Sequence, residues 1–466
     1  MKPTTQWSYR EYVPPMYNRG DIYVCRLAPE RTSFSVDWYN IEGEKTYTIK
    51  YSKENEDNWS EVTIQSSLQE QTSAEIGNLE EETDYVFYIG TPNGKKSAIR
   101  LVRTGFSEGT TVNYFHPRDN YYAFSGRYLC SPSIVRHPNG SLLASMDVFE
   151  GNRPQNLTLL FESKDNGQTW HHISDIFPSF WGRLFIHKGE LYLISVSTEY
   201  GDLLIGKSTD GGRTFCQPTV IFRGGCKCDE NGIHKNPQPV VRYNHRLWNT
   251  LEWGSWKKGG HSQMVVSIDE DADLLKAENW LLSEPVPYNE NWKGTAKGKS
   301  AGILEGCAVI GPDNKLYVIS RYEIRNCEPS YGLAIVFKVD DRNPEAPLEF
   351  KRTMKFDGNH SKFIIKRDEK TGMYYSIIAR IKDKENNDAR NICSLVKSPD
   401  LVTWTLVKDI WNYEDSPKAK VGFQYVDWFI EGDDILMLSR TAMNDAHSFH
   451  DSNYSKFFVV KDFRQI

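Results

Sequence analysis

Long hydrophobic runs are missing from this chain of 466 residues. No stretch approaches the roughly 20 apolar residues that a membrane-spanning helix needs, so no membrane partner is expected. The opening stretch, MKPTTQWSYREYVPP, lacks a hydrophobic signal core. The expectation is a cytoplasmic protein, or a secreted or periplasmic one whose leader has been removed. A basic excess is missing too. Lys and Arg number 56 against 62 Asp and Glu, a formal charge of −6, which leaves no footprint for nucleic acid. Cysteine is sparse: eight are scattered along the chain and make no disulfide framework. Cys226 and Cys228 form the one close pair, and no second pair at metal-ligand spacing follows, so a chance loop pair is the reading preferred over a metal or redox site. No cofactor or resident metal is expected, although a metal ion among the histidines stays open. Asn156-Leu157-Thr158 fits a glycosylation sequon, a motif common by chance.

What the chain has in quantity is aromatic surface. Aromatics make up 13% of it, with 13 Trp and 25 Tyr, which suits an all-β protein and also suits flat rings that stack on sugars. Its length favours two domains. From about Gly20 to Gly105, short alternating stretches stand between polar turns: Ser33–Trp38, Tyr47–Tyr51, Trp59–Ile64 and Asp84–Ile89. Trp38 early, then Leu79 six residues before Tyr85, resembles a fibronectin type III module, with Tyr85 as its corner tyrosine. Residues 1–19 then form an extension, 20–105 a β-sandwich without chemistry, and 106–466 the second domain.

The second domain repeats. A turn followed by an apolar strand recurs at His137–Gly140, His187–Gly189, Tyr243–His245, Pro312–Asn314, Lys370–Gly372 and Glu431–Asp433. A second mark carrying an Asp follows each, roughly 20 to 30 residues on. It is fullest at Ser163-Lys-Asp165-Asn-Gly167-Gln-Thr169-Trp170 and at Ser208-Thr-Asp210-Gly-Gly212-Arg-Thr214-Phe215, and worn at Ser398-Pro-Asp400. The pattern S-x-D-x-G-x-T-aromatic is a local device. The carboxylate accepts backbone N–H bonds inside a tight turn, Gly supplies positive φ, and the aromatic staples the turn onto its own blade. This Asp-box resembles the signature of sialidase-like β-propellers. Six repeats imply a six-bladed propeller, or seven blades if one repeat escapes the pattern. The first turn is read as joining the second and third strands of a blade, and the Asp mark as joining the third and fourth. The chain ends just after the sixth mark, so the segment near Thr111–Phe124 is expected to complete the last blade.

Polar groups lie where inner strands should be, and burying them is costly unless they face a wet pocket. Retaining sialidases use three arginines on the substrate carboxylate, a Tyr nucleophile paired with a Glu, and an Asp acid/base. The resemblance carries over well in the fourth repeat, where Glu305 and Arg321 keep the spacing of the family's Glu and one arginine. Elsewhere the chain departs. Leu129-Cys130-Ser131-Pro132 replaces Phe-Arg-Ile-Pro, Phe423 stands at the nucleophile position with Tyr425 two residues on, and Arg440 stands where a carboxylate is usual. His360-Ser361-Lys362 occupies the place expected of a third arginine.

The expected catalytic set is Glu305, Tyr425, His360, His450 and Asp451, because His titrates near neutrality and a carboxylate fixes its tautomer. The expected substrate-binding set is Arg127, Arg183, His234, Lys235, Glu252, Trp253, Arg321, Tyr322, Lys362, Arg440 and His447. The leading reading is a glycoside hydrolase of the sialidase superfamily that removes a terminal sugar from an acidic glycan and is not a standard sialidase. In it Glu305 is acid or base, with Asp147, Glu199 or Glu252 opposite. A propeller polysaccharide lyase or rhamnosidase-like enzyme on uronate glycans is the second reading. There, Lys362, Arg321 and Arg440 neutralise the uronate, and His360, His450 or Tyr425 moves the proton. A non-catalytic lectin-like propeller with Trp181, Trp253 and Trp256 as platforms is the third. The expected partner is an anionic oligosaccharide or polysaccharide, and the expected state a monomer or weak homo-oligomer.

Overall fold

Two kinds of strand recur, and burial tells them apart. Leu142–Phe149 and Leu157–Ser163 are buried at every residue, as apolar runs covered on both faces must be. Glu349–Lys355 and Thr405–Asn412 mix exposed with covered positions, as strands with one solvated side do. The computed structural model describes residues 20–225 and 231–466; the expected extension 1–19 and the Cys226/Cys228 pair lie outside the described residues.

The first 85 or so described residues form two facing sheets. One joins Val24–Pro29, Phe34–Tyr39 and Gln71–Ile76; the other joins Ser60–Gln65, Thr46–Lys53, Asp84–Gly90 and Arg100–Arg103. Trp38 is fully buried between them, its ring edge-on to Tyr47. Tyr85 is buried, and its hydroxyl accepts the Glu80 backbone N–H at 2.9 Å, the corner expected of it.

Beyond this sandwich, antiparallel sheets of four or more strands succeed one another along the chain. The first runs from Tyr128–Arg136 to His171–Ile176, the second from Phe180–His187 to Thr219–Phe222, and the third starts at Gly232–His234. The fourth starts at Gly302–Ile310, the fifth at Ile364–Arg367 and the sixth at Gly422–Glu431. Their first strands adjoin: Tyr128–Arg136 packs on Phe180–His187 on one side and on Gly422–Glu431 on the other, so the last sheet returns to the first. The outer strand of the last sheet is Thr110–Tyr114, which pairs antiparallel with Tyr454–Val460. The segment expected to complete that sheet does so.

Two expectations are corrected. The turn at His137–Gly140 joins the first and second strands of its sheet, not the second and third. Because Thr110–Tyr114 is spent on the last sheet, the chain enters the first sheet directly at Tyr128–Arg136. The aromatic of the Asp-bearing turn also does more than grip its own sheet. Trp170 packs on Phe457 of the sixth sheet at 5.5 Å and so bridges the first and last sheets. The turn itself forms as its residues dictate. Asp165 accepts from the Thr169 backbone N–H (2.9 Å) and hydroxyl (2.5 Å), and Ser163 accepts from the Gly167 N–H (2.8 Å). Asp210, Thr214, Ser208 and Gly212 repeat the arrangement.

Candidate active site

In four sheets the first strand slips register against the second: at 130–133, 180–183, 304–307 and 424–427. At each slip stands a non-glycine residue in the left-handed region: Ser131 (φ 51°), Trp181 (52°), Glu305 (52°) and Tyr425 (56°). A bulge adds one residue and re-aims its side chain, and such backbone costs on the order of 1–3 kcal/mol per residue. All four residues line one cavity of about 700 Å³. The repeated distortion therefore serves a common hollow.

Tyr425 and Glu305 meet there. The Tyr425 hydroxyl donates to Glu305 Oε1, and Arg321 Nη1 donates to Glu305 Oε2 at 2.7 Å and to the Tyr425 oxygen at 3.0 Å. Burial would raise the Glu305 carboxyl, but the charges of Arg321 and His234 and the Tyr425 hydroxyl hold it below the usual range. Burial, then the Glu305 charge, pushes Tyr425 up to about 12 against the pull of three arginines. The phenol is thus a proton donor aimed at a carboxylate acceptor.

The other two of those arginines are Arg390 and Arg440. Arg390 lies 5.9 Å and Arg440 5.1 Å from the Tyr425 ring centre. Arg321 is compensated by Glu305 and Glu323. Arg390 and Arg440 make no ion pair among the described residues. Arg390 donates to Gln424 and to the His360 carbonyl, Arg440 to the His450 carbonyl, and the Nε of each is buried without a partner. Burial and the neighbouring Arg321 charge lower Arg390 to about 9. Two buried guanidiniums without an ion pair thus stand beside one phenol, an arrangement that is costly in the absence of a partner.

A second polar group enters from the third sheet. His234 Nδ1 lies 2.7 Å from Glu252 Oε2, and its ring packs edge-on to Trp181 at 4.4 Å and against His261 at 4.6 Å. At the rim, Asp451 is held by His447 Nδ1 (2.7 Å) and His450 Nδ1 (2.9 Å). Burial, and then Arg440, lowers His450 to about 4. Among the described residues no group of three or more His, Cys, Asp or Glu side chains could hold a metal ion.

The structure thus brings Glu305, Tyr425, Arg321, Arg440, His234, His450 and Asp451 to one cavity. It places the other expected residues elsewhere. Both His360 ring nitrogens face backbone, Nδ1 the Asn387 carbonyl and Nε2 the Ile324 N–H, so this ring is a buried strut. Tyr322 is fully buried, its hydroxyl 2.6 Å from that of Tyr288. Lys235 and Lys362 are buried outside the cavity lining; burial lowers them to about 7 and 8, and Lys362 Nζ has no partner. Arg183 pairs with the buried Asp427, and Arg127 with Glu150 at 2.6 Å. Glu252 backs His234, His447 backs Asp451, and Trp253 packs into the core between the second and third sheets, leaving Trp181 and Trp256 as the aromatic wall.

Sequence reasoning missed Arg390, Arg325 and Asp388, which also line the cavity. The third arginine was sought in the first strand of the fifth repeat. Arg390 arrives instead from the loop between Tyr374–Ala379 and Ile392–Ser398, and its one signal is a charge set just before a buried strand.

Comparison with known proteins bears on the two domains separately. Residues 25–101 match the model of the fibronectin type III domain. This part of the chain is a fibronectin type III domain. No curated protein matches the sequence. Among solved structures, the Penicillium chrysogenum α-L-arabinanase complexed with arabinobiose superposes with a TM-score of 0.51 at 13% identity, covering 77% of this chain and 98% of that one. The Hadza microbial sialidase Hz136 superposes with a TM-score of 0.51 at 13% identity, covering 96% and 98%. The chain shares their fold. At that identity the likeness reaches the β-propeller architecture and stops short of the chemistry.

Proposed function

We propose that the protein is a six-bladed propeller glycosidase that removes a carboxylate-bearing terminal sugar from an acidic glycan. The observation that carries this reading is the pairing of the Tyr425–Glu305 couple with Arg390 and Arg440, cations that lack a carboxylate of their own. The sugar's carboxylate would lie on Arg321, Arg390 and Arg440, placing the anomeric carbon over the Tyr425 oxygen. A carboxylate nucleophile would be repelled by that substrate charge. A neutral phenol is not, and it becomes anionic only as Glu305 takes its proton during attack. Trp181 and Trp256 would receive the remainder of the glycan by stacking, and the Asp451–His450 pair would hold hydroxyls at the rim. That a sialidase and an arabinanase share the fold supports the sugar-cleaving class and leaves the sugar open.

The test is a panel of sialylated, uronate-bearing and arabinose-bearing oligosaccharides, read by mass and by ultraviolet absorbance. Hydrolysis adds one water and no absorbance, whereas elimination creates an absorbing double bond. Tyr425→Phe should lower kcat by at least about 10³-fold, since the nucleophile is gone, with KM little changed. Binding without turnover by the unaltered protein would instead establish the lectin reading.

A further inference from the structure

Resting on the glycosidase reading, one role is still open: the group that protonates the departing oxygen and later activates water. Two histidine–carboxylate pairs reach the cavity, and they differ in electrostatics. His450 lies beside Arg440, whose charge opposes a second positive charge on the ring. His234 stands against Glu252, a fully buried carboxylate.

Glu252 is itself fixed. Its Oε1 accepts the Gly306 backbone N–H at 3.1 Å and the Gln263 side-chain N–H at 3.2 Å, while Oε2 faces His234. One carboxylate therefore ties the imidazole to the peptide bond that follows Glu305. With Nδ1 holding the proton given to Glu252, Nε2 is the variable atom. It has no hydrogen-bond partner among the described residues, and His234 lines the cavity with its ring against Trp181 and its charge reaching Glu305. This is the architecture of an oriented acid/base: a carboxylate sets tautomer and direction, and the far nitrogen meets substrate.

We propose that His234 is the catalytic acid/base and Glu252 its positioning residue. In the first step the Tyr425 oxygen bonds to the anomeric carbon and the phenolic proton passes to Glu305. The bond to the leaving oxygen breaks with its electron pair, and that oxygen takes the proton from His234 Nε2. In the second step His234 removes a proton from water, the water oxygen bonds to the anomeric carbon, and Tyr425 departs and recovers its proton from Glu305. Atoms and charges balance without a co-reactant.

The experiment compares two leaving groups on whichever sugar the panel identifies: an unactivated disaccharide and the 4-methylumbelliferyl glycoside. His234→Asn should lose roughly 10²–10⁴-fold in kcat on the disaccharide, the usual worth of such catalysis, and less than about tenfold in the rate of releasing the first methylumbelliferone, which needs no proton. The glycosyl–Tyr425 adduct should then accumulate, visible as a mass increment on that peptide, because hydrolysis of the adduct needs the base. Glu252→Gln should lower kcat on the disaccharide while leaving KM unchanged. Equal losses on both leaving groups would assign His234 to binding and overturn the proposal while the glycosidase reading stood. An unaltered protein that turns over no member of the panel overturns both.

Discussion

A buried lysine without an acceptor is an unusual residue to keep. Lys362 lies outside the cavity lining, within range of the Asp427 and Arg183 charges, and burial lowers it to about 8 from 10.5. The folded state thus disfavours its charge. Between pH 8 and 10.5 the unfolded chain binds the extra proton, so stability rises with pH across that window, and below it the full penalty, about 3 kcal/mol, applies. Lys362→Met should raise Tm at pH 7 and flatten the rise above pH 8 in a thermal-melt series. A lower Tm at pH 7 would mean the ammonium is compensated after all. Arg390 makes a complementary forecast for binding. A guanidinium keeps its charge across the working pH range, so Arg390→Gln should raise KM for an anionic substrate and leave KM for its amide little changed. Glu305 and Arg321 were legible in the sequence because they keep a family spacing on one repeat. Arg390 was not, because a loop can deliver a side chain to the axis from any sequence position.

Elements were easier to read than residues. Strand periodicity marked four of the seven sandwich strands to within two residues, since each face there meets a different environment. The distortions within strands stayed hidden. Nothing in Ser131, Trp181, Glu305 or Tyr425 announces positive φ, because none is Gly or Asn; neighbouring strands impose it. The Asp-bearing turns show the opposite case, where local residues specify local shape and tertiary contact adds a further demand. Gly167 has φ +89°, and a methyl group there would come within 2.0 Å of the Phe457 ring. Gly167→Ala should destabilise by more than about 2 kcal/mol, through strain and displacement of Phe457, whereas Gly140→Ala meets open space and costs only its φ strain. Paired denaturant midpoints check this.

At the scale of the whole molecule, the sandwich is bolted to the propeller by buried polar groups. Tyr23 donates to Asp175 at 2.8 Å, His172 Nε2 faces the same carboxylate at 2.8 Å, and Tyr39 lies 3.1 Å from His172 Nδ1. Arg100, buried, pairs with Asp119 at 2.7 Å and stacks on Tyr121 at 3.7 Å. No composition argument foretold this, because a spacer module read alone needs no such contacts. The consequence is thermodynamic coupling. Removing one partner of a buried pair strands the other charge and costs about 3–5 kcal/mol. Unaltered protein should therefore melt in one calorimetric transition, since neither domain can leave without unpairing the interface. In Asp119→Ala, Arg100 loses its carboxylate, the interface weakens, and the sandwich should melt ahead of the propeller as a separate peak. Two resolved peaks in the unaltered protein would show that the interface carries little of the stability, and that the first domain is a passenger on the propeller.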